Sequence, residues 1–177
     1  MTKTHVVKVE ELTSRQLDEL GDAADLAIKD GGGFGWLQPP PRQIQEVYWR
    51  GVLLVPERTL FLGLLDGVVA GSVQLVRPTR QNEAGATRCT LQTFFVAPWA
   101  RGHGLARALV AAVEEEGRGE GFEVMNLDVR ESQEAAIQLY ESFGYECWGV
   151  EPLYAKVDGR WISGRHYTKL LNDVGEA

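Results

Sequence analysis

The residues best suited to chemistry form one run, Phe94-Phe-Val-Ala-Pro-Trp-Ala-Arg101-Gly102-His103-Gly104-Leu-Ala106. An apolar, aromatic strand meets a proline, and a basic Gly-x-Gly turn then opens a helix at Leu105. Glycine lets a backbone bend sharply and approach a ligand closely. The first turn of a helix leaves N–H groups unpaired and carries partial positive charge. Together these features describe an anion site, most often one for phosphate. Arg101, His103 and Arg107 stand at the positive end of this helix, and Glu114, Glu115 and Glu116 near its negative end. That is the reverse of what an isolated helix prefers, at a cost of about a few tenths of a kcal/mol per charge. A polyanion at the N-terminus would make the basic cluster favourable; a merely solvated cluster is the alternative.

Two familiar phosphate loops do not fit. No Gly-x-x-x-x-Gly-Lys-Ser/Thr run occurs, so this is not a Walker loop. The dinucleotide fingerprint Gly-x-Gly-x-x-Gly has Arg107 at its third glycine, and Pro98 and Trp99 separate the strand from the turn. Asp128 imitates the ribose-binding acid of that fingerprint, but alone it does not establish one.

The elements that must position this turn can be read along the chain. Val6–Val9 reads as a strand, and a helix starts near Ser14 with apolar residues at Leu17, Leu20, Ala24 and Ile28. Asp30–Pro41 is a glycine- and proline-rich loop, followed by a second helix over about Arg42–Arg50. Thr59–Leu65 and Val68–Val76 are strands joined at Asp66-Gly67, a hairpin signal. Arg77–Thr87 is a polar loop before the strand Arg88–Ala97. The helix Leu105–Gly117, the strand Val124–Val129 and the helix Ser132–Phe143, ended by Gly144, come next. Two short strand-like segments, near Tyr145–Val150 and Arg165–Leu171, close the chain. Hairpin strands first and strand–helix units later predict one mixed sheet with helices on both faces, in a single domain over residues 1–177.

The composition agrees, with 44% hydrophobic and 24% charged residues, as in an ordinary globular protein. The first residues lack the apolar core of a signal peptide, and no apolar run reaches membrane-spanning length. Cys89 and Cys147 lie in strand-like surroundings without metal-type spacing, which predicts reduced thiols and a cytoplasmic protein. His5 and His166 form no metal grouping either, so no metal is expected. The net charge of −7 argues against a nucleic-acid partner. It suits a cationic small molecule, or simply solubility.

Arg101-Gly-His-Gly-Leu-Ala106 resembles the Arg/Gln-x-x-Gly-x-Gly/Ala turn of the GCN5-related N-acetyltransferases (GNAT), which cradles the pyrophosphate of acetyl-CoA. Leu127-Asp-Val-Arg-Glu-Ser-Gln-Glu-Ala-Ala-Ile-Gln-Leu-Tyr140-Glu-Ser-Phe-Gly-Tyr145 is similar to that family's next strand and helix, in order and spacing. The resemblance covers residues 88–145 closely. It implies an α/β fold with a mixed, mostly antiparallel sheet of about seven strands whose central strands splay apart.

It also implies acetyl-CoA as cosubstrate. By this resemblance Phe94, Phe95 and Val96 match the strand that hydrogen-bonds the pantetheine arm, and Arg101, Gly102, His103, Gly104, Leu105 and Ala106 match the pyrophosphate turn. Gln133 stands where the family commonly has an Asn that contacts the pantetheine amide. Tyr140 matches the tyrosine that protonates the departing thiolate, and Asp128 the carboxylate that takes the amine proton directly or through water, with Glu131 a second candidate. Cys147 has no evident base beside it, so direct attack in a ternary complex is simpler than an acyl-enzyme.

The tail after Gly149 is similar to that of the tabtoxin-resistance type of acetyltransferase, which implies a small amine acceptor. Phe34, Trp36, Glu151 and Tyr154 are then candidate pocket residues. The resemblance also brings a possible homodimer. Two further functions fit it: a non-catalytic CoA-binding sensor or partner-binding domain, and a protein N-terminal or lysine acetyltransferase.

Overall fold

The computed structural model describes residues 1–32 and 34–172. Seven strands form one sheet: β1 (Thr4–Val9), β2 (Arg58–Leu65), β3 (Val68–Val76), β4 (Arg88–Val96), β5 (Val124–Arg130), β6 (Glu146–Val157) and β7 (Arg160–Leu170). Their spatial order is β1-β2-β3-β4-β5-β7-β6. Every neighbouring pair is antiparallel except β4–β5, the parallel pair that the expected mixed sheet requires.

Two layers of helix cover this sheet, because apolar residues alternate between its faces. On one face lie α1 (Ser14–Lys29) and α2 (Arg42–Leu54). Leu20, Ala24 and Trp49 meet Leu60, Leu62 and Val69 there. Helix α1 opens on a capping box in which Thr13 and Gln16 satisfy each other's backbone N–H groups. On the other face lie α3 (Leu105–Gly119) and α4 (Glu134–Ser142), where Leu109, Val110 and Val113 pack on Phe61, Val73, Leu75 and Met125. Helix α4 begins two residues later than its sequence pattern suggests, since Gln133 takes the cap position.

The largest departure from expectation is at the end of the chain. The two short segments are one long hairpin of 12 and 11 residues, turned at Asp158-Gly159. Both turn residues have positive φ (48° and 76°), as the two-residue turns matched to strand twist require. Most of β6 is exposed and its register shifts twice, between Cys147 and Gly149 and between Glu151 and Ala155. An exposed, bulged strand shows no clean alternation, so periodicity could not mark it.

Candidate active site

Strands β4 and β5 pair only at Arg88–Val124, Cys89–Met125 and Thr90–Asn126, and then part. The cause lies in β4. Between Ser72–Phe95 and Gln74–Gln92 the β3–β4 register shifts, leaving one extra residue in β4. Thr93 sits there at φ 50°, an uncommon conformation for a β-branched residue. A bulge of this kind bends its strand and disrupts the local ladder. From Leu91 onward β4 therefore presents an edge that β5 does not take. The gap opens into a cleft of about 1170 Å³.

The basic turn closes one end of this cleft. Gly102 and Gly104 both adopt φ 81°, and a side chain at either would meet nothing within 4 Å. Left-handed backbone with open space around it is what a ligand-facing turn needs. Gly104 caps α3 with no side chain bonded to the helix's first N–H groups. Arg101 and Ala106 line the cleft, and the Leu105 side chain is buried in the core. The charges that looked reversed on α3 have partners elsewhere. Arg101 pairs with Asp30 at 2.6 Å, Arg107 lies over the Phe143 ring, and Glu114 is held by Lys169 and Arg118. The charges alone thus do not call for a polyanion; the free N–H groups make that case.

Tyr140, on α4, and Asp128, on β5, both line the cleft. Burial, with a smaller contribution from the Asp128 charge, pushes the Tyr140 phenol well above its ordinary value. It therefore carries a proton to donate at neutral pH. Asp128 is exposed and accepts a hydrogen bond from the Tyr154 hydroxyl. Phe94 packs edge-on to Tyr140, whereas Phe95 turns to the opposite face and meets Phe34 at 4.8 Å.

The loop after α1 forms the other wall. Phe34 stacks on Trp36, and Trp36 meets Tyr48 of α2, so an aromatic chain ties the loop to the core. Phe34 and Tyr154 line the cleft, while Trp36 stands behind Phe34. Arg130, 9% exposed, donates to the carbonyls of Gly32 and Phe34 and so clamps the loop to β5. Burial holds its guanidinium below the ordinary value. Gln133 lines the cleft and donates to the Gly31 carbonyl.

Besides Trp36, three sequence candidates stand apart from the cleft. Glu151 is exposed and pairs with His166 at 3.0 Å. Glu131 is held by Arg165 at 2.8 Å, and Cys147 is exposed on β6. Thr93, Asp30 and Arg130 were not singled out by sequence. A bulge has no signature in a nine-residue strand, but the buried Arg in Leu-Asp-Val-Arg was a legible oddity. Among the described residues, no three His, Cys, Asp or Glu side chains gather as a metal site, and no helix is long and apolar enough to cross a membrane.

Comparison with known proteins gives the family of this arrangement. A family model described as the acetyltransferase (GNAT) family matches residues 22–145. An uncharacterized N-acetyltransferase from the hisH–hisA intergenic region of Azospirillum brasilense is 62% identical over 133 residues, which span 75% of this chain and 79% of that one. The N-acetyltransferase of Staphylococcus aureus Mu50 shares the fold at a TM-score of 0.80 and 18% identity, over 96% of this chain and 99% of that one. The yncA protein of Salmonella typhimurium, a proposed acetyltransferase solved with its cofactor acetyl-CoA, does so at 0.77 and 16%, over 99% and 98%.

Proposed function

The chain belongs to the GNAT family of acetyltransferases, with acetyl-CoA as cosubstrate, and we propose that it acetylates the amine of a small molecule by direct attack in a ternary complex. The observation that carries this reading is the placement of Asp128 and Tyr140 on one cleft, beside a β4 edge left open by β5. The residues present suit the coenzyme. The β4 edge at Phe94, Phe95 and Val96 offers peptide groups to an amide-bearing arm, and the turn from Arg101 to Ala106 offers N–H groups to a pyrophosphate. Bound there, acetyl-CoA supplies an activated thioester carbonyl.

This chain's own residues then orient and move protons. An ammonium has no lone pair, so the acceptor must lose a proton, and Asp128 takes it. Tyr140, kept in its phenol form by burial, gives a proton to the leaving sulfur. Backbone N–H groups of the β4 edge polarise the carbonyl. Phe34 and Tyr154 shape the acceptor side, and Arg130 fixes the loop that carries Phe34. Positioning of this kind supplies much of the rate, and each proton transfer contributes roughly a hundredfold or more.

The test is thiol release from acetyl-CoA across amino acids, polyamines, aminoglycosides and short peptides. Turnover of a small amine is expected, and Tyr140→Phe should lower kcat about a hundredfold while acetyl-CoA affinity stays within about threefold. An unaltered rate at several pH values removes Tyr140 from the mechanism. Tight coenzyme binding with no turnover on any acceptor makes the protein a sensor, and turnover of peptides alone makes it a protein acetyltransferase.

A further inference from the structure

Tyr154 reaches Asp128 through a specific backbone arrangement. Between Glu151–Gly164 and Ala155–Ile162 the β6–β7 register shifts, so that Pro152, Leu153 and Tyr154 face a single residue, Ser163. This wide bulge carries the Tyr154 ring back over the sheet. The ring lies on Gly164, where a Cβ would come within 2.2 Å of it. Only glycine leaves room for it. The hydroxyl at the end of this arch donates to Oδ2 of Asp128.

The need for such a contact follows from what else surrounds Asp128. Arg130 stands two residues along the same strand and thus on the same face. His166 lies opposite Asp128 on β7, held by Glu151 of β6, and Tyr140 of α4 lies within reach of its charge. Among the described residues no ion pair joins Asp128 to Arg130 or to His166. Tyr154 lies within reach of both the Asp128 and the Arg130 charges. Burial and the Asp128 carboxylate both hold its own proton on, so it remains a donor.

We propose that Tyr154 is the positioning residue of the proton acceptor: its hydroxyl holds one carboxylate oxygen of Asp128 and leaves the other for the incoming amine. This rests on Asp128 being the base, and two readouts keep the claims apart. The first needs no acceptor. In a carboxyl 13C NMR spectrum of the full chain at neutral pH, Tyr154→Phe displaces the Asp128 carboxylate resonance, because that carboxylate loses its hydrogen-bond donor. Gly164→Ala, which keeps both residues but displaces the ring, produces the same change. An Asp128 resonance superimposable on that of the unaltered chain in both variants overturns the proposal.

The second readout uses amines that turn over in the acceptor screen. In both variants kcat falls about tenfold while KM for acetyl-CoA stays unchanged. A kcat that stays fixed while the Asp128 resonance moves overturns the catalytic relevance of the contact. Full turnover by Asp128→Asn overturns the base assignment instead, and leaves the resonance change seen in Tyr154→Phe and Gly164→Ala untouched.

Discussion

The sheet has two halves that are built differently. Strands β1–β4 are sandwiched, with α1 and α2 on one face and α3 on the other, and β3 is buried along almost its whole length. Strands β5 and β7 pack on α3 and α4 through Met125, Leu127, Val129 and Tyr167, with no helix among the described residues on their other face, and the outer strand β6 is mostly exposed, with Trp148, Val150 and Leu153 open to solvent. The cleft runs where the two halves part. The sandwiched half contributes backbone, namely the β4 edge and the turn into α3. The open half contributes side chains, namely Asp128 and Tyr154. Shape held by a dense core suits a coenzyme, whereas an open sheet face can vary its side chains at little cost to stability.

The contrast can be pressed hardest through packing. Leu109, fully buried between α3 and the sheet, should cost about 2–5 kcal/mol when changed to Ala. Leu153, 61% exposed on β6, should change stability by less than about 0.5 kcal/mol. Urea denaturation of both variants checks this, and equal losses would mean that the open half is covered in solution.

A smaller effect sits at the seam. Glu114 of α3 is buried and accepts from Lys169 of β7 at 2.8 Å, an ion pair that staples the two halves together. Lys169→Met should destabilise by about 1.5–3 kcal/mol, since Arg118 still engages the carboxylate. A neutral result, read by thermal melting, would show that the halves hold together without this staple.

The mildest probe leaves the fold intact. Burial pushes the Cys89 thiol of β4 up to about 12, whereas Cys147 of β6 is exposed. A raised value keeps the proton on sulfur through neutral pH, so the thiolate that reacts with disulfide reagents is scarce. At pH 8 the native protein should show one fast thiol, and Cys89 should react only after unfolding.

The sandwiched half was also the half most legible in sequence. Its strands carry strong apolar patterns, and Asp66-Gly67 announced the β2–β3 hairpin within one residue of its observed bounds. In the open half β5 was legible within one residue, but β6 and β7 were read as two stubs because exposed residues do not alternate. Yet Asp158-Gly159 is the same turn dipeptide, and weighing it would have placed Tyr154 on a strand beside β7. In the site, the glycine turn and the frame from Asp128 to Tyr140 could be read directly, being contiguous in the chain. Trp36 and Glu151 came from the resemblance of loop and tail to the tabtoxin-resistance type of acetyltransferase, and both lie outside the residues that line the cleft.

By itself, then, the sequence determined the local pieces: an anion-binding turn that needs left-handed backbone at Gly102 and Gly104, and a strand–helix frame that carries an acid and a phenol. Only the tertiary structure decided how they meet. The Thr93 bulge opens β4 from β5, Arg130 fastens the loop at Gly32 and Phe34 from 98 and 96 residues away in the chain, Asp30 pairs with Arg101, and the Tyr154 arch lands on Asp128. The physical reason is one of range. Turn and helix preferences act between neighbours in the chain, whereas a bulge's bend and a hydroxyl's partner are set by strands that pair only once the core has closed.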